Sequence, residues 1–399
     1  MLYNDFTEKL LGLQEGIVKK VESDDRKIEI YMEMKRKPHN CICCGTATDT
    51  IHDYRTQVIK DVPAFGKDIY IILRKRRYRC PHCGKRFYEE TKFLPRYYRM
   101  TNRLSLSIIR ELESVYTFTS VSRRFNVSPS TVIRIFDKLS FSGPRELPQT
   151  VAIDEFKGNT WGEKYQCIVT DPQNHTVIDI LPNRYHSYLS SYFSKFENRE
   201  DVKFFISDMW KPYADISNTF FKNSTYVVDK YHWMRQVVWA FEAVRKETQK
   251  QFSKDYRVYF KHSRNILIKR YEFLNEEQQA QVRVMLSVSP TLSSAYFLKE
   301  DFLRILNCPD RESAKEHLKL WIENSHNSGI PQFVKCSNTM YSWFTGILNS
   351  FVCQHTNGFT EGCNNKIKVL KRNAYGYRNF PRFRKRILLM FSHQKMVTA

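Results

Sequence analysis

Two acidic residues end short apolar segments, and their side chains are of the type that binds a hard metal ion. Asp154 ends the segment 151–153, and Asp208 ends the segment 203–207. Carboxylates at the ends of neighbouring strands can converge on a divalent cation such as magnesium, which takes oxygen ligands. A third carboxylate completes a two-metal site, which activates water or a hydroxyl group for phosphodiester chemistry. Taken singly, each acid also fits a surface position or a helix cap.

Two Cys-x-x-Cys pairs, each followed by glycine, indicate a second kind of metal site. A tetrahedral zinc ion requires four soft thiolates, and the glycines let the chain turn back beneath the metal. We predict a structural zinc site made by Cys41, Cys44, Cys80 and Cys83, with a β-hairpin between the pairs. Cys43 is a spare that can replace either neighbour. The alternative is two unrelated pairs of buried or redox-active thiols.

The charge of the chain indicates a polyanionic partner. The 399 residues include 64 Lys and Arg against 42 Asp and Glu, a formal net charge of +22. Nucleic acid is favoured over a membrane surface, because no segment forms a basic amphipathic helix with a clean apolar face. No apolar run approaches the roughly 20 residues that span a bilayer, and the N-terminus lacks a secretory pattern. We therefore expect a cytoplasmic, nucleoid-associated DNA-binding protein.

Residues 117–136 have the layout of a helix-turn-helix. Val121 and Phe125 face inward on a first helix, and Asn126 tolerates the left-handed conformation of a turn. Ser128 can cap the second helix, and Pro129 fits its first position. Val132, Ile133 and Phe136 are expected to pack beneath the second helix. A plain helical hairpin is the alternative. The residues predicted to contact DNA in and near the two modules are Arg76, Arg77, Arg123, Arg124, Ser130, Thr131 and Arg134.

Three segments are expected to position these residues. Residues 1–95 form a zinc-binding domain, 96–145 a helix-turn-helix domain, and 146–399 an α/β domain with a helical insertion at about 232–345. Within the last segment, strands are predicted at 151–154, 165–170, 176–181, 202–207 and 225–228. Three antiparallel strands followed by strand–helix–strand units predict a mixed sheet covered by helices.

A final helix is predicted from about Phe359 to Lys371. On it, Glu361, Lys368 and Arg372 share one face, so the acid can reach a metal while the two cations reach DNA phosphates. No acidic residue follows Glu361, and Arg378, one of the basic residues that do, is also predicted to contact DNA. The alternative, an amphipathic surface helix with a basic tail, does not explain why Glu361 is the one acid there.

With these residues, the chain resembles the DDE transposases of bacterial insertion sequences, specifically the ISL3 family. The resemblance is carried by the segments IDEF (153–156), SDMWKPY (207–213), VDKYH (228–232), NGFTEGCNNKIK (357–368) and RNAYGYRNF (372–380). It covers nearly the whole chain, because the cysteine pairs and the helix-turn-helix match the family's layout. The C-terminal segments are the most specific part.

The resemblance implies an RNase H-like fold and a catalytic triad of Asp154, Asp208 and Glu361 that binds Mg²⁺ or Mn²⁺. It implies that the protein binds the terminal inverted repeats of a mobile element, cleaves strands there and transfers them to target DNA. Joining two ends implies a homodimer or a higher oligomer. The alternative is a non-catalytic zinc and helix-turn-helix regulator derived from a transposase.

Four further residues at or near the predicted strand ends could be confused with metal ligands or could contact DNA. Glu155 is expected on the opposite face of its strand from Asp154. Asp229 is expected to be structural or to contact DNA, and His232 to be packed or hydrogen-bonded rather than a metal ligand. For Trp210, stacking on DNA and packing in the core are both open.

Overall fold

The computed structural model describes residues 11–13, 16–94, 97–262 and 264–392. The chain divides into two compact units. The first comprises Met1–Phe141, Arg372–Tyr375 and Lys385–Ala399, and the second Ser142–Lys371 and Gly376–Arg384. Each unit has hydrophobic cores of its own.

The first unit begins with a five-stranded sheet. Its order is β1-β2-β6-β5, with β7 paired to β6. β5 and β6 form a long antiparallel hairpin between the two cysteine pairs, and its turn at Phe65 and Gly66 has positive φ at both residues. Glycine adopts that conformation without steric cost. The strands are Gly16–Ser23 (β1), Lys27–Met34 (β2), Ile51–Ala64 (β5), Lys67–Arg79 (β6) and Arg86–Tyr88 (β7), and the pair His39–Asn40 (β3) and Ala47–Thr48 (β4) forms a separate two-stranded sheet.

Three helices complete the helix-turn-helix part of this unit. They are Asn102–Glu111 (α1), Phe118–Arg124 (α2) and Pro129–Asp137 (α3). Each follows a hydroxyl residue whose side chain accepts a hydrogen bond from a first-turn N–H, which satisfies a donor that the helix leaves unpaired. Their apolar faces meet in one buried core that includes Leu104, Val121 and Phe136.

Arg76, which the sequence places among DNA-contacting residues, lies in the core of the first unit. Its side chain is only 7% exposed, and its guanidinium donates to Glu33 at 2.9 Å, to Glu89 at 3.2 Å and to the main-chain oxygen of Met34 at 2.6 Å. The Glu89 side chain is 1% exposed. Because these acceptors use the guanidinium inside the protein, the prediction that Arg76 contacts DNA is wrong. Its role is structural.

Arg76→Ala is expected to lower the free energy of unfolding of the first unit by roughly 3–5 kcal/mol, because removing one partner leaves Glu89 buried without a counter-charge. Arg77→Ala is the matched control. Arg77 is half-buried and pairs with Asp53 at 3.4 Å, so its loss is expected to cost less than about 1 kcal/mol. Hydrogen exchange of β5 and β6 peptides at increasing urea measures both values, and equal losses would contradict the assignment.

The second unit contains a mixed five-stranded sheet with the order β10-β9-β8-β11-β12. β8, β9 and β10 are antiparallel, whereas β11 is parallel to both β8 and β12. The strands are Thr150–Thr160 (β8), Glu163–Asp171 (β9), Thr176–Leu181 (β10), Phe204–Ser207 (β11) and Thr225–Val228 (β12). β10 and β12 have the predicted bounds, while β8 is longer than predicted. Helices His186–Phe193 (α4) and Lys211–Phe220 (α5) connect the strands and share an aromatic core with them.

A group of helices separates β12 from the C-terminal helices. These are Lys230–Lys250 (α6), Lys254–His262 (α7), Arg264–Ile268 (α8), Glu276–Ser287 (α9), Pro290–Ile305 (α10), Arg311–Asn327 (α11), Pro331–Ser342 (α12) and Phe344–Asn349 (α13). They enclose a second large core around Trp233, Phe302 and Trp321. Gly346 in α13 lies against β12, since an added Cβ would stand 2.8 Å from Val228.

The chain ends in two helices, Gly358–Asn373 (α14) and Phe380–Phe391 (α15). In α14, Ile367 and Leu370 are buried. The hydroxyl groups of Thr360 and Thr170 are 2.7 Å apart, and the rings of Phe359 and His175 are 5.3 Å apart. These contacts fix the start of α14 against β9 and its turn, and so set the position of Glu361. Within the described residues, no helix is both long and apolar enough to cross a bilayer.

Candidate functional site

Three aspartates lie at one level across the parallel strands of the second unit. Phe204 on β11 lies opposite both Thr150 on β8 and Thr225 on β12. Continuing these registers brings three carboxylates side by side, one within β8 and the other two directly after the ends of β11 and β12. They belong to Asp154, Asp208 and Asp229.

Asp154 is held by two hydrogen bonds in a buried position. The side chain is 7% exposed. Its Oδ1 accepts from the N–H of Glu155 at 2.6 Å, and its Oδ2 accepts from the Nδ2 of Asn364 on α14 at 2.7 Å. Burial, together with the nearby Asp208, raises the pKa of Asp154 to about 7. Asn364 therefore orients the carboxylate, while burial and the neighbouring Asp208 both disfavour its charged form.

Asp229 occupies the N-cap of α6 but its side chain does not cap the helix. It is buried instead, and burial raises its pKa to about 6, with Glu361 and Asp208 adding to the effect and His232 opposing it. The Nε2 atom of His232 lies 3.0 Å from Oδ1 of Asp208 and 3.8 Å from Oδ2 of Asp229. Burial lowers the pKa of His232, but these two carboxylates outweigh it and the net direction is upward.

Glu361 reaches the same region from α14. Ligand atoms of Asp229, His232 and Glu361 lie within 4.8 Å of one another, and so do those of Asp154, Asp208 and His232. Among the described residues, the three acids predicted as a triad do not form one such group. They fall into two overlapping groups that share His232.

The carboxylate oxygens of this site suit a hard divalent cation, as two of them show. Oδ1 of Asp208 and Oδ2 of Asp229 are buried and accept no hydrogen bond with good geometry, although His232 is near both. Buried carboxylate oxygens without partners are costly unless a cation binds them. Oxygen donors from several carboxylates are what Mg²⁺ and similar ions take. We name these five residues the acid cluster: Asp154, Asp208, Asp229, His232 and Glu361.

Two neighbours of the acid cluster have structural partners. Glu155 points away from Asp154, as predicted, pairing with Arg184 at 2.6 Å. Trp210 packs edge-on against Tyr213 at 4.7 Å, with the Arg184 guanidinium 4.8 Å from its ring. Core packing is therefore the role that these contacts give Trp210.

The four predicted zinc ligands converge in the first unit. The Sγ atoms of Cys41 and Cys83 are 3.5 Å apart, as are those of Cys44 and Cys80, and all four lie within 4.8 Å of one another. Gly45 and Gly84 have positive φ, and each N–H donates to the carbonyl of the first cysteine of its pair. These are the tight turns of two zinc knuckles. Cys43 is exposed and lies outside the cluster.

The helix-turn-helix has the predicted turn. Asn126 has φ of 48°, Ser128 accepts from the N–H of Thr131, and Pro129 begins α3. The packing beneath α3 differs from the prediction at one position. Ile135 is buried there, whereas Ile133, which was predicted to be, is only half-buried.

The other residues predicted to contact DNA lie at the surface of their own units. Arg123, Arg124, Ser130, Arg134, Lys368, Arg372 and Arg378 are exposed, and Arg77 and Thr131 are half-buried. Arg124 pairs with Glu111 at 3.2 Å, and the hydroxyls of Ser130 and Thr131 each lie 2.9 Å from Ser128. Arg76 is the exception, as described above.

A model of the ISL3 DDE family, described as "Transposase", matches residues 151–387, more than half of the chain. The chain belongs to the ISL3 family of DDE transposases. Further models match the zinc-finger of transposases IS204, IS1001, IS1096 and IS1165 at residues 37–83 and the helix-turn-helix domain of transposase family ISL3 at 89–140. The transposase thus combines a zinc ribbon, a DNA-binding helix-turn-helix and an RNase H-like catalytic domain.

Individual transposases are similar to this one over different lengths. The transposase for insertion sequence element IS1001 of Bordetella parapertussis is 27% identical over 95% of this chain and 96% of its own length. That for element IS1557 of Mycobacterium tuberculosis is 30% identical over 30% of this chain and 27% of its own. A Lactococcus lactis protein named ATP-dependent protease is 36% identical over 26% of this chain and 32% of its own.

Sequence reasoning missed Asp229 as a member of the transposase's acid cluster and understated His232. A signal for Asp229 was present, because it follows β12 as Asp208 follows β11, and both strands belong to consecutive parallel units. The His232 side chain lies 3.0 Å from Asp208 and 3.8 Å from Asp229, and it belongs to both groups of potential ligand atoms.

Proposed function

We propose that this transposase binds the terminal inverted repeats of its insertion sequence and, with Mg²⁺ or Mn²⁺, cleaves strands there and transfers them to target DNA. The observation that carries the proposal is the acid cluster. Asp154 and Asp229 are buried, Asp208 and Glu361 are half-buried, and one oxygen each of Asp208 and Asp229 lacks a well-formed hydrogen bond. A non-catalytic regulator would have no need to gather four carboxylates in one place, since their burial and mutual repulsion cost free energy.

Asp154, Asp208 and Glu361 are proposed as the catalytic acids, with Asp229 and His232 beside them. When bound, a divalent cation supplies activation of the attacking oxygen and neutralises charge on the phosphodiester. Asn364 keeps the Asp154 carboxylate oriented through its 2.7 Å hydrogen bond. Lys368, on the turns of α14 beyond Glu361, is exposed and can contact the phosphate backbone beside the acids.

The helix-turn-helix is proposed to read the end sequence, with Ser130, Thr131 and Arg134 facing the major groove. Arg77, Arg123, Arg124, Arg372 and Arg378 are proposed to contact phosphates. Since two ends must be joined, we propose at least a homodimer during synapsis, acting at the bacterial nucleoid.

The test is incubation of this protein with labelled duplexes of the sequences that flank its gene, with and without added Mg²⁺. Nicking at a fixed position, dependent on the cation, is expected. Salt-sensitive binding of the ends with no cleavage in Mg²⁺ or Mn²⁺ would contradict the catalytic proposal and favour a regulator.

A further inference from the structure

Helix α6 carries an exposed aromatic face that begins at the acid cluster. Tyr231 is 46% exposed and Trp239 is 50% exposed. Arg235 lies between them in sequence, and all three are spaced four residues apart, so they follow one another along one side of the helix. Large aromatic side chains at such exposure on a helix face are typical of binding surfaces. We call these three residues the stacking face.

Arg235 makes cation–π contacts with both rings of the stacking face. Its guanidinium carbon lies 4.3 Å from the centre of the Trp239 ring and 5.7 Å from that of Tyr231. In the described part of the chain it forms no ion pair with a carboxylate, so the positive charge remains available to an anionic partner. A cation placed between two aromatic rings fits a ligand that has both flat apolar faces and phosphates.

The stacking face is continuous with the acid cluster. Tyr231 precedes His232 directly, and their rings are 5.6 Å apart. Asp229 stands at the start of the same helix. From Tyr231 to Trp239 the helix rises about 12 Å at 1.5 Å per residue. That span corresponds to three to four nucleotides if their bases keep the spacing of roughly 3.4 Å that one strand has in duplex DNA.

We propose that the stacking face binds an unpaired stretch of three to four nucleotides next to the cleavage position, with bases stacked on Tyr231 and Trp239 and a phosphate on Arg235. The inference rests on the proposed function, since it takes the acid cluster as the place of cleavage. Unpaired DNA is the occupant because a base inside a duplex has both faces covered by its neighbours. Stacking on exposed aromatic side chains is the usual way in which proteins hold unpaired bases.

The test compares binding, without cleavage, of two fluorescein-labelled end duplexes at fixed salt and without divalent metal. One carries four unpaired thymidines beside the cleavage position, and the other carries four abasic residues there. The wild-type protein is expected to bind the thymidine tract at least about fivefold more tightly than the abasic one. Trp239→Ala is expected to lose most of this preference, because the phosphates are contacted as before and only the Tyr231 ring remains for stacking.

Two matched variants separate stacking from a loss of folding. Trp239→Tyr keeps an aromatic ring and is expected to retain the preference for bases. Phe297→Ala removes another exposed aromatic residue, 63% exposed on α10, and is expected to retain it too. If Trp239→Ala keeps the full preference for the thymidine tract, the inference is wrong. A protein partner would then be the favoured occupant of this face. Cleavage by the wild-type protein in Mg²⁺ is measured in a separate reaction. Its absence would contradict the proposed function rather than this inference.

Discussion

Asp208→Asn is expected to lower the rate of Mg²⁺-dependent strand cleavage by at least about 100-fold while leaving the affinity for element ends within about twofold. Loss of a residue that only supports a metal ligand already costs roughly 10–100-fold, so loss of a direct ligand should cost no less. Oδ1 of Asp208 is buried and lacks a well-formed hydrogen bond, and Asp154 stands at the same level on the adjacent strand. The amide keeps the shape of the side chain but removes the charge that binds a cation.

Asp215→Asn is the control for that experiment. Asp215 is exposed on α5, in the same unit, so the exchange of an exposed carboxylate for an amide is expected to change cleavage by less than about twofold. Single-turnover cleavage of a labelled end measures the rate, and a filter-binding titration measures end affinity. If Asp208→Asn cleaves at the wild-type rate, the acid cluster is not the active site.

The separation of cleavage from end binding follows from where the residues lie. The helix-turn-helix helices α2 and α3 belong to the first unit, whereas the acid cluster is built from strands and helices of the second. A change of charge at Asp208 therefore leaves the recognition helix and its caps unaltered. This also means that a defect in both properties at once would indicate misfolding rather than lost chemistry.

Much of the acid cluster could be predicted, because strand ends are visible in sequence. Asp154 and Asp208 each follow an apolar run, and Asp208 does stand at the end of β11, but β8 continues past Asp154 to Thr160. What sequence could not provide is how α14 meets the sheet. That contact depends on Thr170 and Thr360, 190 residues apart, and it decides that Glu361 lies with Asp229 and His232 rather than with the other two acids.

Arg76 shows a different limit of sequence reasoning. Along β6 the buried side chains are at first odd-numbered, as in Ile71 and Leu73, but further along the strand Arg76 and Tyr78 are buried. Because the covered face of the strand changes, the alternation of its apolar part cannot be extended into the basic run. The partner Glu33 lies 43 residues away in sequence, and no local pattern connects the two residues.

The zinc ribbon gave a firmer prediction because its signal is local. Two residues between each pair of cysteines and a following glycine determine a knuckle almost by themselves. The sequence left open whether Cys43 replaces one of its neighbours as a zinc ligand. In the structure its side chain is exposed, while the thiols of Cys41, Cys44, Cys80 and Cys83 converge.

Cys80→Ser is accordingly expected to unfold the ribbon and to abolish specific end binding. Structural zinc contributes an apparent binding free energy of roughly 10–16 kcal/mol in isolated fingers, as much as the stability of a whole domain. Cys80 is 1% exposed and packs with Tyr78 and Phe87, so a vacant or weakened site also opens this small core. Peptides from β6 and β7 should lose their protection from hydrogen exchange, and purified protein should lose its zinc.

Cys43→Ser is the matched control, because it removes a thiol of the same knuckle that lies outside the four. It is expected to keep one zinc per chain and wild-type end affinity. All six tryptophans belong to the second unit, so tryptophan fluorescence follows that unit alone and should report an unchanged unfolding transition in both variants. Full zinc content and normal exchange protection in Cys80→Ser would show that the ribbon does not depend on this ligand, since a structural zinc site that loses one of four thiolates cannot keep its affinity.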